Sequence, residues 1–223
     1  MKDLAIIVPY RDREEHLKQF IPYMKNYLTR KGFSFDFYVV EQEEGKPFNR
    51  GMLLNIGYEL ANKKESYKSI VFHDIDMLPV NVDYSHNEIP THLASEAEQF
   101  GWKLPMNGTY EVYFGGITLF PNEVFREING YSNDYWGWGA EDDDLLHRVR
   151  SSGFEWIRRY PGVVRSLNHQ RNINQEEYRK NIEKVREMWA NKLEYKNEGL
   201  NSLKYEVLED KSNEDYVMTK VKI

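Results

Sequence analysis

The sequence has no cysteine among its 223 residues. A disulfide framework and a thiolate metal site are therefore excluded, and the chain would suit a reducing compartment. It also lacks an apolar run of about 18 residues, the length that a membrane-spanning helix needs. The apolar run Leu4–Val8 is too short for the core of a signal peptide. From these absences we expect a soluble, cytoplasmic protein without an integral membrane segment.

The motifs of several common enzyme classes are missing as well. The chain has no G-x-x-x-x-G-K-[ST] loop, no dinucleotide-binding glycine fingerprint, no H-E-x-x-H helix and no G-x-S-x-G turn. Kinase, dehydrogenase, zinc protease and serine hydrolase functions are therefore unsupported. No sign of charge is in large excess, because 30 basic residues face 36 acidic ones for a net charge of −6. This balance argues against nucleic acid as a partner.

The first third of the chain alternates between apolar runs and amphipathic segments. Three segments predict strands, which are Leu4–Val8, Phe33–Val40 and Ser69–His73. Two segments between them have helical spacing, Glu14–Arg30 and Met52–Ala61. This βαβαβ order predicts a parallel sheet with right-handed crossovers.

Ligands of such a sheet bind at the carboxyl ends of its strands. We therefore expect the segments that follow the strands to gather at one edge, namely Pro9–Arg13, Glu41–Glu44 and Asp74–Asp76. The segment Met77–Met106 contains three prolines and little periodicity, so we expect loops there. The later predicted strands are Gly115–Phe120, Phe154–Arg158, Val163–Leu167, Tyr205–Leu208 and Tyr216–Ile223, and the later predicted helices are Glu141–Arg150 and Glu176–Trp189.

The tripeptide Asp74-Ile75-Asp76 follows a predicted strand. Side chains alternate along extended chain, so both carboxylates lie on one side. Their hard oxygen atoms suit Mg²⁺ or Mn²⁺, and such an ion could offset the charge of a nucleotide diphosphate. A D-x-D pattern alone is common in solvated loops, but its place after an apolar strand favours a functional site.

The segment Tyr135–Asp144 packs two tryptophans, two glycines and four consecutive carboxylates together. The acids lie in the first turn of a predicted helix, where the macrodipole favours negative charge. Trp138 stands between two glycines, whose backbone accepts conformations closed to other residues. Acids at a helix start often serve stability alone, but the adjoining tryptophans favour a functional role.

Several single residues near these motifs are further candidates. His169 follows another predicted strand and could supply an imidazole to the same metal ion, although a lone histidine is more often structural. Arg11 and Arg13 could hold phosphate by forked hydrogen bonds. Phe48 could lie beside a base and Arg50 beside a phosphate, whereas Asn49 could simply cap the next helix.

In residue type and order, these segments resemble the β-1,4-galactosyltransferase family, of glycosyltransferase family 7 type. The matching segments are Ile7–Arg13, Phe48–Arg50, Asp74–Asp76, Tyr113–Gly116, Trp136–Asp144, His169 and Gly199–Leu203. The resemblance implies a GT-A fold, an α/β Rossmann-like fold with a mixed, mainly parallel central sheet flanked by helices. Residues 1–223 would form one domain, with a nucleotide-binding half (1–76) and a donor-sugar and acceptor half (77–223).

The resemblance also implies inverting, metal-dependent transfer of galactose from UDP-galactose to a sugar hydroxyl, forming a β-1,4 linkage. The metal would be Mn²⁺, with Mg²⁺ as the alternative, and its ligands would be Asp76 and His169. Asp142 would be the general base, and Glu141 and Asp143 would bind the acceptor or support the base. The donor-binding residues would be Pro9, Arg11, Arg13, Phe48, Arg50, Asp74, Tyr113, Gly116 and Trp138.

Three of these donor-side residues have more specific implied roles. Asp74 would contact the uridine part of the donor. Trp138 would be the tip of a loop that closes over donor and metal. Tyr113 matches a family position where an aromatic residue favours galactose over its bulkier N-acetyl analogue.

The chain departs from the family at three points. Ser166 replaces a thioether that often precedes the metal-binding histidine by three residues, which leaves the number of metal ligands open. The segment Asn172–Tyr178 is short, so the acceptor stays open among glycans and glycolipids that end in N-acetylglucosamine, glucose or xylose. Secretory members carry an anchor, a stem and disulfides, so this chain looks like a bacterial or viral relative.

Three alternatives remain at this point. The same fold could transfer N-acetylgalactosamine from its UDP donor. The chain could be an inactive protein that binds nucleotide sugars or carbohydrates, or a metal-dependent phosphohydrolase. The sequence leaves the oligomeric state open.

Overall fold

The computed structural model describes residues 1–103, 113–168, 173–191 and 195–223. Strands and helices alternate along these residues. The strands are β1 (Lys2–Tyr10), β2 (Phe35–Gln42), β3 (Tyr67–His73), β4 (Met77–Val82), β5 (Thr91–His92), β6 (Glu96–Ala97), β7 (Ile117–Pro121), β8 (Ile157–Arg158), β9 (Gly162–Ser166), β10 (Glu206–Asp210) and β11 (Val217–Lys222). The α-helices are α1 (Glu14–Arg30), α2 (Arg50–Lys64), α3 (Asn122–Glu127), α4 (Glu141–Ser151) and α5 (Gln175–Asn191).

Eight of the strands form one sheet in the order β10-β11-β2-β1-β3-β7-β5-β8. Its centre is parallel, because Ile6 of β1 lies opposite Phe37 of β2 on one side and Val71 of β3 on the other. β11 adds a further parallel strand beside β2, whereas β7 is antiparallel to β3. The prediction of a mixed α/β sheet with a parallel core is confirmed.

Strand β1 is buried on both faces, as a central strand between two helical layers should be. Ile6 and Val8 belong to the core cluster that includes Phe20 of α1. Ile7 points the other way, into a cluster that includes Leu145 of α4. Each fully buried aliphatic side chain of this kind contributes about 1.5–3 kcal/mol to folding. The apolar run of β1 therefore fixes α1 and α4 on opposite faces of the sheet.

The prediction of loops over Met77–Met106 was wrong. β4 begins directly after Asp76 and pairs antiparallel with β9, and β6 completes a second sheet in the order β4-β9-β6. The register of β4 shifts between Pro79 and Asn81. Because a proline is tolerated in a strand at such an irregularity, Pro79 did not exclude a strand there. The short helix α3 was also not predicted.

In the part of the chain that the structure describes, no helix is long and apolar enough to cross a membrane.

Candidate active site

The segments after β1 and β2 meet beyond the carboxyl ends of these strands. The Arg11 guanidinium carbon lies 5.3 Å from the ring centroid of Phe48, and Arg11 Nη1 donates to the carbonyl oxygen of Lys46 at 2.8 Å. Pro9 lies opposite Val40 in the parallel register. Arg13 makes a different contact, since its Nη1 lies 3.5 Å from the carbonyl oxygen of Asp12. The structure therefore brings Arg11 to Phe48, whereas no such contact joins Arg13 to that ring in the described part of the chain.

Asn49 caps helix α2, as the sequence suggested. Its Oδ1 accepts a hydrogen bond from the backbone N–H of Met52 at 2.9 Å. Its Nδ2 donates to the carbonyl oxygen of Asn133 at 2.7 Å. The cap satisfies one of the N–H groups that a helix start leaves without a partner. It also fixes the direction in which the next side chain, Arg50, leaves the helix.

Arg50 joins the segment after β3 to the start of α4. Its Nε donates to Asp74 Oδ1 at 2.7 Å, and its Nη1 donates to Asp142 Oδ1 at 2.7 Å. Glu141 Oε1 lies 3.4 Å from the same Nη1. The side chain of Arg50 is only 12% exposed. Three carboxylates from two distant parts of the sequence thus converge on one buried guanidinium.

This convergence leaves more negative than positive charge in a partly buried place. Burial disfavours the Arg50 cation, but Asp142 and Asp74 outweigh that effect and raise its pKa. Burial raises the pKa of Glu141 and of Asp142, although Arg50 acts in the opposite direction on both. Burial together with the charge of Asp142 raises the pKa of Asp143 to about 7. The acidic run is therefore able to exchange protons near neutral pH.

The backbone just before this acidic run is held in an uncommon conformation. Ala140 precedes the first turn of α4 with a φ of 77°, in the left-handed region that glycine favours. A residue with a side chain pays a strain cost there, and such positions cluster at functional sites. The turn places all four acids in the first helical turn, as predicted.

The Tyr113–Gly116 segment forms another wall of the site. The carbonyl oxygen of Gly116 accepts from the backbone N–H of Asp74 at 2.9 Å. A Cβ atom added to Gly115 would lie 2.3 Å from Asp142 Oδ2, so only glycine allows this approach. Gly116 has a φ of 81°, and a Cβ there would lie 3.0 Å from the Tyr113 hydroxyl. Tyr113 and Gly116 therefore lie beside Asp74 and Asp142.

The tryptophan-containing loop is docked on two sides. The backbone N–H of Gly137 donates to the carbonyl oxygen of Phe48 at 2.8 Å. From α5, Asn181 Nδ2 donates to the carbonyl oxygen of Trp136 at 3.0 Å. The Trp138 ring lies 5.2 Å from the ring of Tyr178 and is 48% exposed. Sequence reasoning missed Tyr178 and Asn181, and the only signal for them was their spacing of three on an amphipathic helix.

Asp76 was predicted to bind a metal ion together with His169. Asp76 follows β3, and its carbonyl oxygen accepts from the backbone N–H of Leu167 at 2.7 Å. Ser166 lies opposite Met77 in the β4–β9 register. The chain that leads to position 169 therefore passes beside Asp76. His169 itself lies outside the described residues.

Carboxylate and imidazole donors suit Mn²⁺ in type, so the residues present fit the implied metal. Within the described ranges, no group of three or more histidine, cysteine or acidic side chains is assembled for a metal. Asp76 is thus the candidate ligand that the structure describes, and the role of His169 stays a prediction.

Comparisons with known proteins agree with these motifs. The family model for the N-terminal region of glycosyl transferase group 7 matches residues 1–87. The model described as the N-terminal domain of galactosyltransferase matches residues 91–173. Human β-1,4-galactosyltransferase 4 is 36% identical over 97% of this chain. The chain spans 62% of the length of that relative.

Solved structures give the same result. The catalytic domain of Drosophila β-1,4-galactosyltransferase 7, in complex with xylobiose, has a TM-score of 0.81 and 29% identity. The match covers 100% of this chain and 93% of that one. A mutant of the same Drosophila protein, in complex with manganese, UDP-Gal and xylobiose, has a TM-score of 0.77 and 28% identity. The GT-A fold and the resemblance are confirmed, and the chain belongs to the β-1,4-galactosyltransferase family.

Proposed function

We propose that the chain transfers galactose from UDP-galactose to a sugar hydroxyl with inversion, forming a β-1,4 linkage. The observation that carries the proposal is the convergence of Asp74, Glu141 and Asp142 on Arg50. This convergence joins the end of β3, where a donor should bind, to the acids that would serve the acceptor. The human relative and the Drosophila structure with UDP-Gal and manganese support the proposed chemistry.

Asp142 is suited to act as the general base. One of its oxygens, Oδ1, is held by Arg50, whereas Oδ2 faces Gly115, where no side chain intervenes. The acceptor oxygen would attack the anomeric carbon from the side opposite UDP, and its proton would pass to Asp142. The new carbon–oxygen bond forms as the bond to UDP breaks, and UDP leaves with that electron pair. A positioned base contributes roughly 10²- to 10⁴-fold to such a reaction.

In this proposal Arg50 positions the two carboxylates. The sequence suggested that Arg50 holds UDP, and that role stays a prediction. Its observed contacts are with Asp74 and Asp142 at 2.7 Å each, so the guanidinium sets the distance between the donor side and the base. A shift of about 1 Å in such a group can lower a rate by about 10²-fold.

The donor would lie beyond the ends of β1, β2 and β3. The Phe48 ring and the Arg11 cation lie together there and would bind the uridine diphosphate part. A divalent ion on Asp76 and His169 would supply positive charge to the leaving diphosphate. The exposed ring of Trp138 stands at the tip of the docked loop and would exclude water from the donor.

The acceptor would bind beside Glu141 and Asp143. Protonated carboxyl groups donate hydrogen bonds and ionised ones accept them, so acids that titrate near neutrality can satisfy a sugar hydroxyl in either sense. The Drosophila structure contains xylobiose, which makes xylose the first candidate acceptor. N-acetylglucosamine and glucose are the next candidates.

The experiment is the release of UDP from UDP-galactose with Mn²⁺, measured with xylose, glucose, N-acetylglucosamine and no acceptor. We expect one acceptor to stimulate release and Asp142→Asn to abolish that stimulation. Asp134→Asn is the matched control, because Asp134 is exposed and pairs with Lys184 away from the acids. Omission of Mn²⁺ or its replacement by Mg²⁺ tests the metal requirement.

Two other outcomes would contradict the proposal. Equal release with and without every sugar would indicate a hydrolase. No release despite measurable UDP binding would indicate a binding protein. A preference for UDP-N-acetylgalactosamine as donor would keep the fold and mechanism but change the transferred sugar.

A further inference from the structure

A buried histidine outside all the sequence motifs contacts the wall of the site. His92 is the last residue of β5 and is fully buried. Its Nε2 lies 2.8 Å from the carbonyl oxygen of Gly115. Its Nδ1 accepts from Arg158 Nε on β8 at 3.0 Å. The imidazole thus connects Arg158 to the segment that approaches Asp142.

The partners of His92 determine where its proton lies. Arginine only donates, so the Nδ1 that faces Arg158 carries no proton. Nε2 must then carry the proton that it donates to Gly115. Burial lowers the pKa of His92 to about 3, and the Arg158 cation acts in the same direction. The ring therefore remains neutral and in one tautomer at neutral pH.

Arg158 makes a second contact with the same segment. Its Nη2 donates to the carbonyl oxygen of Tyr113 at 2.6 Å. The planar guanidinium can serve His92 and Tyr113 at once because its donors form a fixed fork. The carbonyl groups of Tyr113 and Gly115 are therefore both held from behind, one directly and one through the imidazole.

The same residues also fix the ring of Tyr113. The His92 ring meets it edge to face, with centroids 5.5 Å apart at an angle of 89°. Phe100 meets it from another direction, with centroids 5.4 Å apart at 76°. Tyr113 and Gly115 precede β7, so these contacts supply the hold that strand pairing gives to the residues after Gly116.

We propose that Arg158 and His92 are positioning residues that place the Tyr113–Gly116 wall and thereby set the preference for galactose over its N-acetyl analogue. This inference rests on the proposed function. Neither residue touches the three carboxylates on Arg50 through the contacts described above. Both act through the backbone carbonyls and ring that they hold.

The test compares Arg158→Lys with Arg159→Lys. Lysine keeps the charge of Arg158 but has one nitrogen, so it cannot serve both partners. Arg159 is the matched control, because it is the next residue and its Nη1 donates to the carbonyl oxygen of Ser85 at 2.7 Å, on another loop. The readout is kcat/KM with UDP-galactose divided by kcat/KM with UDP-N-acetylgalactosamine.

We expect Arg158→Lys to lower this ratio about tenfold, mainly by raising KM for UDP-galactose. Arg159→Lys should leave the ratio within about twofold of the original. Tyr113→Leu is the reference for a wall that has lost its ring. An unchanged ratio in an active Arg158→Lys enzyme would overturn the inference, and His92→Gln provides the same test if the lysine variant does not fold.

A second readout does not depend on turnover. Nitrogen-15 NMR of the six histidine rings, assigned with His92→Gln, should show His92 neutral with its proton on Nε2. Arg158→Lys should shift its Nδ1 resonance, because that nitrogen loses its hydrogen bond. If the original protein transfers neither sugar, the proposed function fails, whereas a proton on Nδ1 or an unchanged Nδ1 resonance in the variant contradicts this inference.

Discussion

Helix α4 carries two aspartates that pair with arginines, and the two pairs look alike in a contact list. Asp142 Oδ1 accepts from Arg50, and Asp144 Oδ1 accepts from Arg148, each at 2.7 Å. Burial raises the pKa of both carboxyl groups, and an arginine opposes the rise in both cases. Neither the distance nor the pKa distinguishes the base from its neighbour.

The two pairs differ in what surrounds them. The side chains of Arg148 and Asp144 are 1% and 3% exposed, whereas that of Asp142 is 23% exposed. Arg148 also donates to the carbonyl oxygen and to Oε2 of Glu198, both at 2.8 Å. The closed pair therefore ties α4 to the segment that contains Glu198. The open pair instead leaves one carboxylate oxygen facing a cleft.

This comparison teaches that access decides which acid can take a proton from a substrate. An ion pair closed to water can hold a fold together but cannot meet a ligand. An ion pair at the edge of a cleft keeps one oxygen available while the other is fixed. The predictions below separate these two roles.

The largest expected effect is on turnover. Asp142→Asn should lower kcat by roughly 10²- to 10⁴-fold, because the amide cannot accept the acceptor's proton. Asp144→Asn should leave kcat per folded molecule nearly unchanged and lower stability instead. Steady-state kinetics and urea denaturation of both variants test this. Retention of more than about one tenth of kcat in Asp142→Asn would remove Asp142 from the role of base.

The next largest effect is on stability. Arg148→Met should lower the free energy of unfolding by about 3–5 kcal/mol, because it leaves the Asp144 carboxylate buried without its cation. Arg50→Met should cost clearly less, since Asp74 and Asp142 are 29% and 23% exposed and keep contact with water. Urea denaturation at pH 7 measures both. Equal losses would mean that the open pair is as closed as the other.

Much of the scaffold could be predicted from the sequence because local patterns specify it. The apolar spacing of α1 predicted Glu14–Arg30, and the helix has those bounds. The acids of α4 lie in its first turn, as their position before an apolar repeat indicated. Strand β4 was missed because Pro79 interrupts its pattern, and an edge irregularity that accommodates proline is not visible in one segment alone.

The contacts within the site were harder to predict because they join distant segments. The motifs predicted Asp74, Arg50 and Asp142 as site residues, but not that one guanidinium holds the two carboxylates. Nothing in the local sequence marks His92 or Arg158, which meet across 66 residues of chain. Such pairings follow from the order of strands in the sheet, and periodicity does not specify that order.

A smaller effect concerns the pH dependence of stability. The pKa of Asp143 is about 7 in the folded protein, against about 3.9 for an unfolded aspartate. Between these values the folded state binds more protons than the unfolded state, so rising pH removes stability. Asp143→Asn should flatten the fall in unfolding free energy between about pH 4 and pH 7, by at most about 1.4 kcal/mol per pH unit.

Urea denaturation at several pH values measures that slope. Glu141 also has a raised pKa, so part of the slope should remain in the variant. Identical slopes in the variant and the original protein would mean that Asp143 is ionised throughout this range and belongs with the solvated acids.

The smallest effect should come from the outer partner of the closed pair. The Glu198 side chain is 38% exposed, and charge pairs with such access to water are worth about 0.2–1 kcal/mol. Glu198→Gln should therefore lower Tm by only about 1–4 °C for a chain of this size and leave kcat unchanged. Thermal denaturation and kinetics of the variant measure both. A loss as large as that of Arg148→Met would show that Glu198, rather than Asp144, neutralises Arg148, and the closed pair would then be open at its outer end.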